Sequence, residues 1–436
     1  MQQSVKQNIH PHAQLWDAGL ISLRELEAER GILASGRDEV YGCIFGRDSL
    51  ITSLTLLDVY DRTEDTYFLH LVRKVLLNLA ELQGREINIE SGEEPGKMIH
   101  EYRPERHEHL TQHAESPWYL YPDSVMRNYD TVDATPLFLM AVHRYYRATG
   151  DRAFIDELLP NVHAALRWIE TYGDSNGDGF IDYRFHPERK YGGLVTQSWM
   201  DSAESVFFEE RDEKPHYPIA PVEVQAYTYH ALRAWADFFA GDDGFLSEKL
   251  STRADDLKRK FGAAFVVEEK RGRVSLAFAL DGEGRQLVSP RSSMGHCLWA
   301  SWQPEQGAMP DSIIDAGIVP DIARRLIAPD LYVPRAGIRT LSVRSRAYDA
   351  DSYHNGSIWP HDTAIVADGL EKVGFREEAK RVRASLMNAY RHFNTPLELF
   401  VYRQGEYREY CGPSGQGACR NQAWSVASLL AVLKSD

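Results

Sequence analysis

Two carboxylates stand where a carboxylate needs either a partner or a task. Asp201 lies in segment 192–205, GGLVTQSWMDSAES, two residues after Trp199 and near Gln197 and Ser202. An indole stacks well on the face of a sugar. By desolvating a nearby carboxyl it also raises the pKa toward what a general acid needs at neutral pH. The alternative for the same residues is a helix-initiating Asp beside a core Trp. Glu398 falls in an apolar run with Leu397, Leu399 and Phe400, where an unpaired carboxylate is costly. It is a candidate base, with Glu406 and Glu409 as rivals in the same stretch.

Four further segments carry polar residues suited to sugar hydroxyls. In YGCIFGRDSLIT (41–52), Arg47 and Asp48 sit where a Gly-containing loop enters a helix. Such a pair offers donors and acceptors to adjacent hydroxyls, although Asp48 also fits an ordinary N-cap. GKMIHEYR (96–103) and NYDTVDATPLFL (128–139) contribute His100, Glu101 and Asp133, the last another natural N-cap. YHNGSIWPHDTAIV (353–366) brings Asn355, Trp359 and His361 before a helix started by Pro360. Gln422 and Trp424 open the final helix. DSNGDGFIDY (174–183) follows a calcium-loop pattern at Asp174, Asn176, Asp178 and Asp182. Its twelfth position is Phe185 where a bidentate Glu is required, so an Asx-rich turn explains it equally well.

Other chemistries lack their residues. The chain has no GxSxG elbow, GxxxxGK[ST] loop, HExxH or GxGxxG, and its carboxylates, Trp, Tyr, Arg and amides are what carbohydrate chemistry uses. A net charge of −15 disfavours nucleic acid and anionic lipid as partners. No apolar run approaches the ~20 residues of a membrane span. The first 20 residues show no secretory leader, and the four cysteines form no CxxC pair. A cytoplasmic protein, monomeric or dimeric, is expected.

Periodicity supplies the elements that must hold these residues. About twelve helices are predicted, at 13–31, 48–60, 65–82, 133–149, 152–172, 221–240, 246–265, 292–301, 308–327, 360–373, 376–393 and 420–433. Phe154, Leu158, Val162, Leu166 and Ile169 form one stripe, whereas Glu377, Glu378, Lys380, Arg381 and Arg383 read as a solvated face. Strands are few, with 274–280 and 338–343 the best. A solenoid would repeat at about 34–47 residues, and no such repeat is present. The expectation is an all-α fold: one (α/α)6 barrel over residues 1–436, with minor strands in its loops.

Taken in order, FGRDSLIT (45–52), PGKMIHEYR (95–103), TVDATPLFL (131–139), DSNGDGFIDY (174–183), SWMDS (198–202), NGSIWPHDTAI (355–365) and LELF (397–400) resemble the C-terminal glucosidase domain of glycogen debranching enzymes. The resemblance spans about residues 41–430. It implies a barrel related to glucoamylases and trehalases, and inverting, exo-acting hydrolysis of α-glucosidic bonds without a metal or organic cofactor. Asp201 would be the general acid and Glu398 the general base. Arg47 and Asp48 would hold the sugar, with Glu101, Asp133, Trp199, Asn355, Trp359 and His361 lining the pocket and Gln422 and Trp424 flanking it. The chain departs from the family in two ways. The barrel begins within about 40 residues of the N-terminus, and Met200 stands where a Lys is expected, altering the leaving-group side. A small glucoside therefore fits as well as glycogen, either a trehalase substrate or a compatible solute such as glucosylglycerate. A sugar lyase or epimerase, or a sugar-binding barrel without turnover, are the other classes.

Overall fold

The computed structural model describes residues 11–269, 272–304, 309–413 and 415–435. Its main helices are α1 (Pro11–Leu26), α2 (Gly46–Thr63), α3 (Thr66–Glu81), α4 (Ala134–Thr149), α5 (Arg152–Thr171), α6 (Val222–Phe239), α7 (Gly244–Ala264), α8 (Ser293–Trp299), α9 (Val319–Leu326), α10 (Pro360–Lys372), α11 (Arg376–Phe393) and α12 (Ala423–Leu433). The even-numbered helices pack in sequence, α2 on α4, α6, α8, α10 and α12, and α12 closes back on α2. Odd-numbered helices pack outside this ring. The fold is an (α/α)6 barrel.

Burial follows the layers. The inner α12, AWSVASLLAVL, is apolar nearly all round and buried over ten of its eleven residues. The outer α5 buries only its Phe154, Leu158, Val162, Leu166 and Ile169 side. Asp65, Asp151 and Asp243 cap the outer α3, α5 and α7, each accepting a first-turn N–H at 3.0 Å. Inner-to-outer connections are mostly tight, two residues after α2 and after α4, closed by Glu64 and Gly150 in left-handed conformation. Outer-to-inner connections are long, 82–133 and 172–221 being the largest. Long loops thus gather at the end where every inner helix begins. That end can carry a site, and six positive helix termini surround it.

Differences from the sequence reading are local. The first helix stops at Leu26, because Glu27–Ala28 pairs with Gly31–Ile32. The ninth starts at Val319 rather than 308, with Pro320 in its first turn; residue 308 lies outside the described residues. The 274–280 run breaks in two. Arg273–Leu276 pairs with Val266–Glu269, and Ala279–Leu280 with both Ala220–Pro221 and Gln286–Leu287. Of 338–343, only Ile338 is strand, as the end of Gly337–Ile338, with single bridges at Arg339 and Leu341. Arg383 is not on the solvated face: it turns inward to Asp368 at 2.6 Å and to Glu371. Among the described residues no helix is long and apolar enough to cross a membrane, and no cluster of three or more potential ligands is arranged to hold a metal.

Candidate active site

A cavity of about 290 Å³ opens among the long loops. Its floor comes from the first turns of inner helices. Gly46 enters α2 with its N–H on the His100 carbonyl at 2.9 Å, and a Cβ there would lie 2.0 Å from the Ile99 carbonyl oxygen. Only glycine allows that approach, which delivers Arg47 and Asp48 to the floor. Neither is a cap; the N-cap is Phe45, without a side-chain bond. The Asp48 carboxylate instead accepts from Gln422 Nε2 at 3.0 Å, joining α2 to the start of α12. Burial raises the Asp48 pKa to about 7 against the opposing pull of Arg47.

Each terminal nitrogen of Arg47 holds a carboxylate, while its buried Nε has no hydrogen-bond partner among the described residues. Nη1 donates to Asp133 at 3.0 Å and Nη2 to Asp201 at 2.6 Å. Asp133, at the N-cap position of α4, makes no capping bond and takes Thr131 Oγ1 at 2.5 Å as its other donor. It is completely buried beneath Arg47 rather than in the cavity wall. Asp201 is in the wall, with its side chain 23% exposed. Burial lifts its pKa to about 6, and the ion pair with Arg47 opposes the rise. Trp199 lies beside it in the wall, stacked on His296 with the rings 9° from parallel.

Glu398 lines the same cavity, 2% exposed, just before the strand Phe400–Arg403 that bridges to Ile358. The Tyr353 hydroxyl donates to Oε1 and the Cys419 N–H to Oε2 at 2.9 Å. Tyr41 extends the chain, its hydroxyl 3.2 Å from that of Tyr353. Burial raises the Glu398 pKa to about 7, while both donors hold it down. Glu406 and Glu409 are exposed on the hairpin strand Glu406–Glu409, paired with Arg408 and Arg420, and take no part in the cavity.

Trp359, Gln422, Trp424 and Glu101 also line the cavity. Trp359 Nε1 is fixed by the Tyr353 carbonyl at 2.9 Å, and Glu101 accepts from Arg103 and Cys43. Besides Asp133, two more anticipated residues lie behind the cavity wall. His361 is wholly buried, its ring 3.7 Å from that of Trp424, and desolvation holds its pKa well below the usual value. Asn355 braces the loop, accepting from Arg291 at 2.8 Å and donating to the Glu204 carbonyl at 2.9 Å. Met200 does not reach the leaving-group side. It is fully buried, with its sulfur 3.4 Å from Arg291 Nη1.

The sequence reading misses Tyr41, Arg103, Tyr353, His354 and Gln416 in the wall. Four of them lie in or beside motifs already singled out, which was the available signal. The DSNGDG loop is a self-bonded turn: Asp174 accepts from Gly177 and Gly179, and Lys260 Nζ donates to the Asp178 carbonyl at 2.7 Å. All four cysteines are unpaired.

A family model described as "Mannosylglycerate hydrolase MGH1-like glycoside hydrolase domain" matches residues 106–425. No curated protein matches the chain significantly. Among solved structures, the GH63 mannosylglycerate hydrolase from Thermus thermophilus in complex with glucose superposes with a TM-score of 0.63 at 15% identity, covering 96% of this chain and 99% of that one. The complex of that hydrolase with Tris and D-glycerate gives 0.60 at 16% identity, with 97% and 100% covered. A structure described as a wild-type glycosidase gives 0.58 at 13%, with 97% of each chain covered. These likenesses establish a shared fold, and the family match extends over most of the chain, including both Asp201 and Glu398. The chain belongs to the MGH1-like glycoside hydrolase family and is a glycosidase.

Proposed function

We propose that the chain is an inverting, exo-acting glycoside hydrolase for a small α-hexoside with a short hydrophilic leaving group, of the mannosylglycerate or glucosylglycerate kind. Asp201 is the general acid and Glu398 the general base. The observation that carries this is that two carboxyls, both raised by burial, face one cavity from opposite loops. Asp48, Gln422, Trp359 and Trp424 on the floor suit the hydroxyls and face of a single hexose.

Asp201 gives its proton to the glycosidic oxygen as the C1–O bond breaks. Glu398 takes a proton from a water that attacks C1 on the opposite face, giving the inverted hemiacetal and the free alcohol. Arg47 is better suited to Asp201 than to sugar hydroxyls. Its terminal nitrogens are engaged, and its charge compensates the carboxylate left after proton transfer.

The small-substrate reading draws support from the family and from the cavity, whose volume is at the low end of the ~300–1,000 Å³ usual for ligand pockets. Glycogen debranching, suggested by the motif resemblance, has weaker support. The barrel over residues 1–436 acts as one catalytic unit; its main core runs from Leu23 to Ala431. Four free cysteines favour a reducing, cytoplasmic setting.

The test is a comparison of kcat/KM on mannosylglycerate, glucosylglycerate, trehalose, isomaltose and limit dextrin. Glycerate glycosides should be the fastest; a preference for limit dextrin would return the assignment to debranching.

A further inference from the structure

The barrel has a second pole. Where the inner helices end, away from the catalytic loops, a cavity of about 870 Å³ opens, against about 290 Å³ for the catalytic one. Asp58 and Asp61 reach it from the last two turns of α2, Arg144 and Arg147 from those of α4, and Lys372 from the end of α10. His230 of α6 and Trp302, just past α8, also line it.

His143 of α4 is the most confined polar group in this set, 3% exposed. Burial, with His230, Arg147 and Arg144 nearby, lowers its pKa to about 3, so the ring is neutral. Its ring lies edge-on to those of Trp235 and Trp302, at 5.9 and 5.1 Å. Neither ring nitrogen has a hydrogen-bond partner among the described residues. A neutral imidazole carries one donor and one acceptor, and leaving both unmade in a buried wall is costly. His230 offers a further acceptor. Its Nδ1 donates to the Ala300 carbonyl at 3.0 Å and burial lowers its pKa to about 3, which leaves Nε2 with a lone pair.

The formal charges of the wall cancel, with Asp58, Asp61 and Glu64 against Arg144, Arg147 and Lys372. Arg144 donates to Asp58 at 3.1 Å and to Asp61, and Arg147 to the Pro304 carbonyl. Lys372 donates once, to the Trp299 carbonyl at 2.6 Å, and keeps two further N–H donors. The helix termini gathered here are the negative ones, which disfavours an anion. Among the described residues no three potential ligands are arranged for a metal ion. The wall therefore suits a neutral molecule that both donates and accepts.

We propose that this far-pole cavity is a second, non-catalytic site for a neutral saccharide, held by His143, His230 and Lys372 beside Trp302. A sugar hydroxyl donates and accepts at once, which matches a neutral imidazole, and an indole suits the apolar face of a sugar ring. The volume exceeds that of the cavity assigned to a single hexose at the catalytic pole. The inference stands apart from the hydrolase reading, since it uses none of the catalytic groups.

The test is hydrogen exchange of the full chain, read by mass spectrometry, with glucose, trehalose and maltotriose in turn. Glucose 6-phosphate and Zn²⁺ serve as charged probes. At least one neutral sugar should slow exchange at 143–149 and 299–304. His143→Phe keeps a ring against Trp302 and removes both nitrogens. It should weaken that response about tenfold and leave the response of the catalytic loops unchanged. Lys372→Met, which alters an exposed side chain, should weaken it too, and serves if His143→Phe does not fold. No slowing at these segments with any of the three sugars overturns the inference, even if the catalytic loops respond. Slowing by glucose 6-phosphate or Zn²⁺ without the neutral sugars overturns it, as does slowing that survives both substitutions.

Discussion

Arg47 and Asp201 form a 2.6 Å ion pair across 154 positions of sequence, and the other arm of the same guanidinium holds the fully buried Asp133. One arginine therefore links the first turn of α2, the start of α4 and the loop carrying the acid. On the proposed mechanism it compensates the charge on Asp201 after proton transfer, at the cost of opposing protonation beforehand. Removing it leaves Asp133 buried without a counter-charge. Arg47→Gln should destabilise the fold by about 3–5 kcal/mol, measured by urea unfolding. A change below about 1 kcal/mol would show that Asp133 is compensated by other means.

Asp201→Asn and Glu398→Gln should each lower kcat by about 10²–10⁴-fold, the usual contribution of a general acid or base. Circular dichroism should remain that of the wild type. Retained turnover in either variant would remove that residue from the chemistry. Glu406→Gln should behave as wild type, since that side chain lies on the exposed hairpin.

The two carboxyls also set a pH dependence. The proposed mechanism needs Asp201 protonated and Glu398 ionised, and burial raises their pKa values to about 6 and about 7. The base sits above the acid, so the productive protonation state is a minor one and its population peaks between the two values. A bell-shaped kcat/KM centred between about pH 6 and 7 should result, its limbs belonging to the pair rather than to either residue. A flat profile across this range would contradict the assignment.

Stability should run against activity. Asp48 and Glu398 have folded pKa values near 7, above their unfolded values near 4, so the folded chain holds protons that the unfolded chain releases. Their contribution is present in full below the unfolded values and is lost as pH rises from about 4 through 7. Asp48→Asn and Glu398→Gln should then raise Tm at pH 7.5, with the gain vanishing near pH 4. An equal gain at both pH values would show that charge burial is not its cause.

Much of this was legible in the sequence, and the missing parts have physical reasons. Helices announce themselves through local periodicity, as the Phe154 to Ile169 stripe does. A buried ion pair does not: Arg383 has the composition of a solvated face, and only the packing of α11 on α10 turns it toward Asp368 and Glu371. Asp133 reads as an N-cap and occupies that backbone position, yet its carboxylate goes to Arg47, a partner 86 residues away. Asp201 and Glu398, which line one cavity, stand out in the sequence because each is a carboxylate in an apolar or aromatic context. Tyr353 does not, since a loop tyrosine carries no mark of the hydroxyl bond it makes to Glu398. Met200 looked like a lost charge at the site, but it faces Arg291 within the protein.

The central claim, inversion driven by Asp201 and Glu398, is tested most directly by proton NMR of the first turnovers on an α-hexosylglycerate. The β-hexose should appear first, with the α-anomer growing in only at the rate of mutarotation. An initial α-anomer would mean retention, and would contradict the assignment of Glu398 as a base acting on water.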